Sequence, residues 1–232
     1  MTNGMTSLGF AVSTGHRPSV VVLLEAGAGI DVPDRQNRTA LEVAAVRGNE
    51  EIVLLLLSEN AKTFAQTESG RPPLIAALEA QHPQVALVLL EAGAEASSRN
   101  AHDESALQIA SEIAAPQVVA KLLELGAQES EHAGEQALNA AMQRLEGARP
   151  RDSQVASVSS SRSTRPRASL STSEANDPDS TIDLYREIAL SLVEAGANLD
   201  WTPDGGKSAR EIAVWLGFDE LIEARDKASK AR

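Results

Sequence analysis

Shifted by 33 residues, this sequence falls onto itself. Leu8, Leu41, Leu74 and Leu107 come into register, as do Ala11, Ala44, Ala77 and Ala110. The pairs Leu23-Leu24, Leu56-Leu57, Leu89-Leu90 and Leu122-Leu123 follow, and then Ala28, Ala61, Ala94 and Ala127. With 38 alanines and 26 leucines in 232 residues, each match has a chance of roughly one in six to one in nine, which excludes coincidence over five columns. A fixed period of this length predicts a stack of one supersecondary unit, each copy burying its apolar face against its neighbours.

Within a copy, apolar residues recur at helical spacing between Gly, Pro, Ser and Asn, which predicts helix, turn, helix and loop. A hydroxyl followed three residues later by an acid or amide marks the first helix: Thr39 with Glu42, Ser105 with Gln108 and Ser208 with Glu211. Each pair is expected to form a reciprocal capping box. Gly15, Gly48 and Gly217 end this helix, while Gln81 and Ala114 stand where the glycine is due, so those two turns are expected to differ. Pro83 and Pro116 open second helices, and Gly27, Asn60, Gly93, Gly126 and Gly196 close them. The leucine runs such as Leu54 to Leu57 read as core and inter-repeat packing.

The copy Thr39-Ala40-Leu41-Glu42-Val43-Ala44 to Gly48, then Ile52-Val53-Leu54-Leu55-Leu56-Leu57 and Asn60-Ala61, resembles the ankyrin repeat. That resemblance implies an all-α ankyrin-repeat solenoid of stacked helix-turn-helix units. Further copies run from Thr6 to Ala28, from Pro72 to Ala94 and from Ser105 to Ala127. A fifth starts at Gln136 but reaches Gly196-Ala197 late, and a sixth starts at Ser208 with Arg210 in the leucine column. The expected division is therefore residues 1–148, four repeats and the first helix of the fifth; 149–180, an insertion; and 181–232, the second helix of the fifth with a terminal capping repeat. Met1 lies only five residues before Thr6, so a loop before the first copy is expected to be missing. The motif histidine is replaced throughout, by Gly9, Glu42, Ile75, Gln108, Asn139 and Glu211, so the bracing it supplies in the family is expected to come partly from the capping boxes.

The insertion, rich in Ser and Arg, is too polar to bury a core and reads as disordered. Arg162, Arg165 and Arg167 make Ser163 and Ser169 candidate phosphorylation sites, because a phosphate there reverses the local charge.

Composition narrows the function classes. The absence of Cys removes thiol catalysis and Cys-based zinc sites. A net charge of -12, with six scattered aromatic residues, speaks against nucleic acid. No apolar run reaches the ~18 residues of a membrane span, and the N-terminus does not read as a secretory signal. An intracellular monomer, cytoplasmic or nuclear, is expected. Gly206-Lys207-Ser208 resembles the end of a phosphate-binding loop, but Trp201 occupies the place of the first glycine. His16, His82, His102 and His132 have no i, i+4 partner for metal binding, so no metal, cofactor or catalytic residue is assigned.

The resemblance implies a non-enzymatic interaction module, an adaptor or scaffold, that holds a protein partner with loop tips and the exposed side of the first helices. The matching positions are Arg35, Gln36, Arg38, Val46 and Arg47 in one copy, then Glu68, Ser69, Arg71, Glu79 and Ala80, then Ala101, His102, Glu104, Glu112 and Ile113. Charge along this face begins basic and turns acidic, which would orient a partner of opposite polarity. The alternative is a regulatory or inhibitory module of an enzyme, or a fragment of a larger multidomain one.

Overall fold

A computed structural model of the chain describes residues 4–64, 71–127, 132–148, 178–202 and 206–230. These form helices α1 (Ser7–Ser13), α2 (Arg17–Glu25), α3 (Ala40–Arg47), α4 (Glu50–Ser58), α5 (Pro73–Glu79) and α6 (Pro83–Glu91). They continue as α7 (Ala106–Glu112), α8 (Pro116–Glu124), α9 (Ala133–Ala148), α10 (Pro178–Glu194), α11 (Ala209–Leu216) and α12 (Asp219–Lys230). Apart from one backbone bridge between Arg99 and Ser105, no β pairing occurs among the described residues.

Consecutive helices pair into hairpins, and the hairpins stack in two layers. The odd-numbered helices touch in succession from α1 to α11 and make the inner layer. The even-numbered helices from α4 to α12 touch in succession and make the outer one. Leu8, Leu41, Leu74, Leu107 and Leu138 are all buried in one continuous core, with Ala44, Ala77 and Ala110 beside them. Small alanines in the inner layer let neighbouring helices approach, and the leucines fill the space between layers. Among the described residues the array is all-α, as the helical spacing within each copy and the resemblance imply.

The turn between the two helices of a hairpin is the same in the first four copies. Gly15 and Gly48 sit at φ 71° and 67°, and Gln81 and Ala114 take the same left-handed conformation at 60° and 54°. The expected difference in the turns does not occur: packing of the flanking helices fixes the geometry, and the two L-residues bear its strain. Ala114→Gly should therefore raise stability by up to about 1 kcal/mol. Gly48→Ala should lower it by more, because the added methyl would stand 2.5 Å from the His82 ring. Urea unfolding of both variants beside the parent checks the opposite signs.

The caps also depart from expectation. Thr39 and Ser105 accept hydrogen bonds from the backbone N–H of Glu42 and Gln108, but only Ser208 and Glu211 close the full reciprocal box. The Glu42 side chain is drawn away by Arg71 of the next repeat, and the Gln108 amide donates to Glu112. These replacements of the family histidine brace the stack directly. Glu42 reaches forward to Arg71 at 3.2 Å, and Asn139 donates to the Lys207 carbonyl at 3.0 Å.

The leucine run of α4 is divided rather than wholly core. Leu56 is fully buried, Leu55 and Leu57 are half-buried, and Leu54 is 50% exposed on the outer side of the helix. The fifth hairpin is different in length: α9 has 16 residues and α10 has 17, against seven to nine in each of α1 to α8.

Candidate functional site

Two side chains, Asp34 and Asn100, shape the loops that carry the sequence candidates. Asp34 is buried at the base of the first described loop. Its Oδ1 accepts from the backbone N–H of Gln36 at 2.7 Å and of Arg38 at 3.0 Å. Its Oδ2 accepts from Arg38 Nε at 3.0 Å and Nη2 at 2.8 Å. Burial pushes this carboxyl upward, but the Arg38 side chain and the two backbone donors outweigh burial and hold it below the ordinary aspartate range. Asn100, two periods later, repeats the device: its Oδ1 accepts from the N–H of His102 at 2.9 Å and of Glu104 at 3.0 Å. A side-chain oxygen folded back onto two amides holds the loop in one shape.

Between these loops Arg71 joins two repeats. Its Nε donates to Glu42 at 3.2 Å and its Nη1 to Glu79 at 2.6 Å. Burial pushes the Glu42 carboxyl above the ordinary glutamate range, with the Arg71 charge acting against it. Glu79 also receives the Asn100 amide at 3.1 Å, and the same nitrogen donates to Glu104 at 2.7 Å. Two carboxylates thus share one amide nitrogen, next to a single guanidinium.

The inner-helix face consequently carries hollows of opposite character. The first, about 430 Å³, is lined by Gln36, Arg38, Val46, Arg47 and Arg71 together with Met5, Ser13 and Val43. The second, about 620 Å³, is lined by Glu79, His102, Glu104, Glu112 and Ile113 on the repeat side. Its other wall is the lengthened fifth hairpin, through Arg144, Thr181, Leu184 and Tyr185. Tyr185 donates to the Glu112 carbonyl at 2.7 Å and Arg144 to the Glu112 carboxylate at 3.2 Å, so the wall is fastened to α7. Burial raises the Tyr185 hydroxyl above the ordinary tyrosine range. A third hollow of about 390 Å³ continues from His102, Glu104 and Glu112 to Trp201.

The structure therefore brings ten of the sequence candidates into two neighbouring hollows. Arg35 and Ala101 are exposed on loop tips and line neither. Ala80 caps the end of α5. Glu68, Ser69, Ser163 and Ser169 lie outside the described residues. Several candidates have a structural duty as well: Arg38 neutralises Asp34, Arg71 neutralises Glu42, and Glu112 is held by Arg144. Arg47 has no ion-pair partner among the described residues and is exposed.

Sequence reasoning missed Asp34, Asn100 and the second wall. The first two were open to discovery, since they stand 66 residues apart in the same register, two periods of the repeat. Tyr185 and Leu184 were not, because they belong to a part of α10 that has no counterpart in shorter outer helices.

His16 and His82 lie at inter-helix turns. His16 Nδ1 accepts from the Ser19 N–H at 3.3 Å, and His82 Nε2 lies 3.1 Å from the Val46 carbonyl oxygen. Among the described residues no group of His, Asp and Glu is arranged to hold a metal ion. No helix among them is long and apolar enough to cross a membrane.

Residues 1–67 match the family model for ankyrin repeats, three copies. No curated protein matches the chain by sequence. The 33-residue period from Leu8 to Ala127, the two-layered stack of hairpins and this match together support an ankyrin repeat protein.

Proposed function

We propose that the chain is a protein-interaction module, an adaptor or scaffold, that holds one partner along the inner-helix face. Ankyrin repeats are generally such modules. The observation that carries the finer reading is the pair of adjoining hollows of opposite charge. Arg38, Arg47 and Arg71 line one, and Glu79, Glu104 and Glu112 line the other. The Arg71–Glu79 ion pair marks the boundary between them.

A partner that fits presents an acidic segment to the first hollow and a basic one to the second. Such polarity fixes orientation and speeds encounter more than it deepens affinity. Affinity then falls to the apolar groups that become dry in the interface, Val46 and Ile113, with Arg47 as the guanidinium that has no internal duty. Preset loops lower the ordering cost of binding, which supports the same reading.

The structure refines the choice of variant. Reversing Arg38 would set a glutamate against the buried Asp34 and damage the loop, so loss of binding would be uninformative. Val46→Asp with Arg47→Glu avoids that, since both side chains are exposed. This double variant is expected to keep parental helicity, with an unfolding midpoint slightly lowered by the loss of the cation in the last turn of α3, while losing at least about tenfold in affinity for a partner captured from the native cell. Retention of that partner at parental affinity would discard this face.

A further inference from the structure

The outer helices raise a separate problem. A surface helix normally turns a polar side to water, and α4 and α6 are apolar nearly all round. Spacing by four residues aligns Arg17, Val21 and Glu25 on α2; Glu50, Leu54 and Ser58 on α4; and Pro83, Leu87 and Glu91 on α6. Val22, Leu55 and Val88 adjoin the three central residues. Val22 is 62% exposed and Leu54 50%, and the other four are partly exposed. A shallow hollow between α2 and α4 is lined by Arg17, Glu51, Leu54, Leu55 and Ser58. On α8 the same positions are Ala120 and Lys121, the latter paired with Glu124, and the apolar stripe stops.

Its edges are acidic in an unfavourable place. None of α2, α4 and α6 has a basic residue in its last turn. Instead α2 ends at Glu25, α6 ends at Glu91, and Glu59 caps α4, all three exposed. Each places negative charge at the helix pole where unpaired carbonyls already concentrate it. At the opposite edge stand Glu50 and Glu51 with a single Arg17. A cation supplied from outside relieves the first edge, while apolar side chains cover the stripe.

We infer that this outer stripe docks an amphipathic helix of another protein, its apolar side against Val21, Leu54 and Leu87 and its flanks bearing lysine or arginine. Roughly 14 helical residues at ~1.5 Å each reach about 20 Å, enough to cross α4 and α6, which touch, and to enter the hollow beside α2. A second copy of this chain is the poorer occupant, because two such stripes face to face set acidic edge against acidic edge. The surface lies on the outer layer and does not depend on the inner-face reading.

The probe is a fluorescein-labelled peptide of about 18 residues with leucine on one helical face and lysine on the other. One control replaces every lysine by glutamate, and a second scrambles the same composition so that no face is apolar. Fluorescence anisotropy against the full chain should show the leucine–lysine peptide binding at least about tenfold tighter than either control. Leu54→Lys with Leu87→Lys should remove that preference with circular dichroism unchanged, and Glu25→Gln with Glu91→Gln should weaken binding and flatten its salt dependence. Val46→Asp with Arg47→Glu should leave it untouched, which separates this surface from the inner face. Equal binding of the controls, or parental binding by both outer-layer variants, would overturn the inference. So would a dimer in sedimentation that Leu54→Lys dissociates.

Discussion

Leu56→Ala is expected to cost about 3 kcal/mol, and Leu54→Ala, two residues away on the same helix, less than about 1 kcal/mol. Leu56 is wholly buried between the layers, so truncation removes its transfer energy and leaves a cavity whose walls belong to several helices. Leu54 already meets water over half its surface, and alanine keeps the helix. The larger cost should be felt locally first. In a stack each repeat meets only its neighbours, so the α4 hairpin loosens before distant hairpins do. Hydrogen exchange, read hairpin by hairpin, should show faster opening around α3 and α4 in Leu56→Ala and little change in α11 and α12. Uniform acceleration across the chain would mean that the stack behaves as one cooperative unit.

Asp34→Ala is the second large effect, about 2 kcal/mol, because it leaves the Arg38 guanidinium and two loop amides without their acceptor. Asp34→Asn should recover part of that, since an amide oxygen still serves the two backbone donors. The pH dependence follows from the direction of the shift. A carboxyl held below its ordinary 3.8 stabilises the fold above that value, and the contribution disappears as pH falls through the lower folded-state value. Glu42 works in the opposite sense. Its carboxyl is held above its ordinary 4.5, so its contribution is greatest below that pH and declines as pH rises through the folded-state value. Acid unfolding curves of Asp34→Asn and Glu42→Gln should therefore diverge from the parent in opposite directions.

How far the molecule was legible in its sequence can be judged from these residues. The apolar columns were legible because a stack repeats its burial requirement every 33 residues, and Leu8, Leu41, Leu74 and Leu107 state it four times. That ten inner-face positions line neighbouring hollows was legible for the same reason, since register fixes which positions lie beside one another. Local rules failed where a neighbour in space intervened. Glu42 satisfies the capping-box pattern but is claimed by Arg71, and Ala114 lacks the freedom of glycine yet is held in a glycine conformation. Leu54 belongs to a run of four leucines, and the run says nothing about which face of the helix meets water. Residues without a period, such as Tyr185 and Arg144, gave no signal at all, although they build one wall of the acidic hollow.

The polar links between hairpins differ at every junction where they are seen. Arg71 ties Glu42 to Glu79, Tyr185 and Arg144 tie the fifth hairpin to Glu112, and Asn139 holds the Lys207 carbonyl. The shared leucines would accept these modules in any order, whereas the latches accept only one. A chain with its third and fourth units exchanged should still collapse into helices, yet it would fit together like a zipper with mismatched teeth.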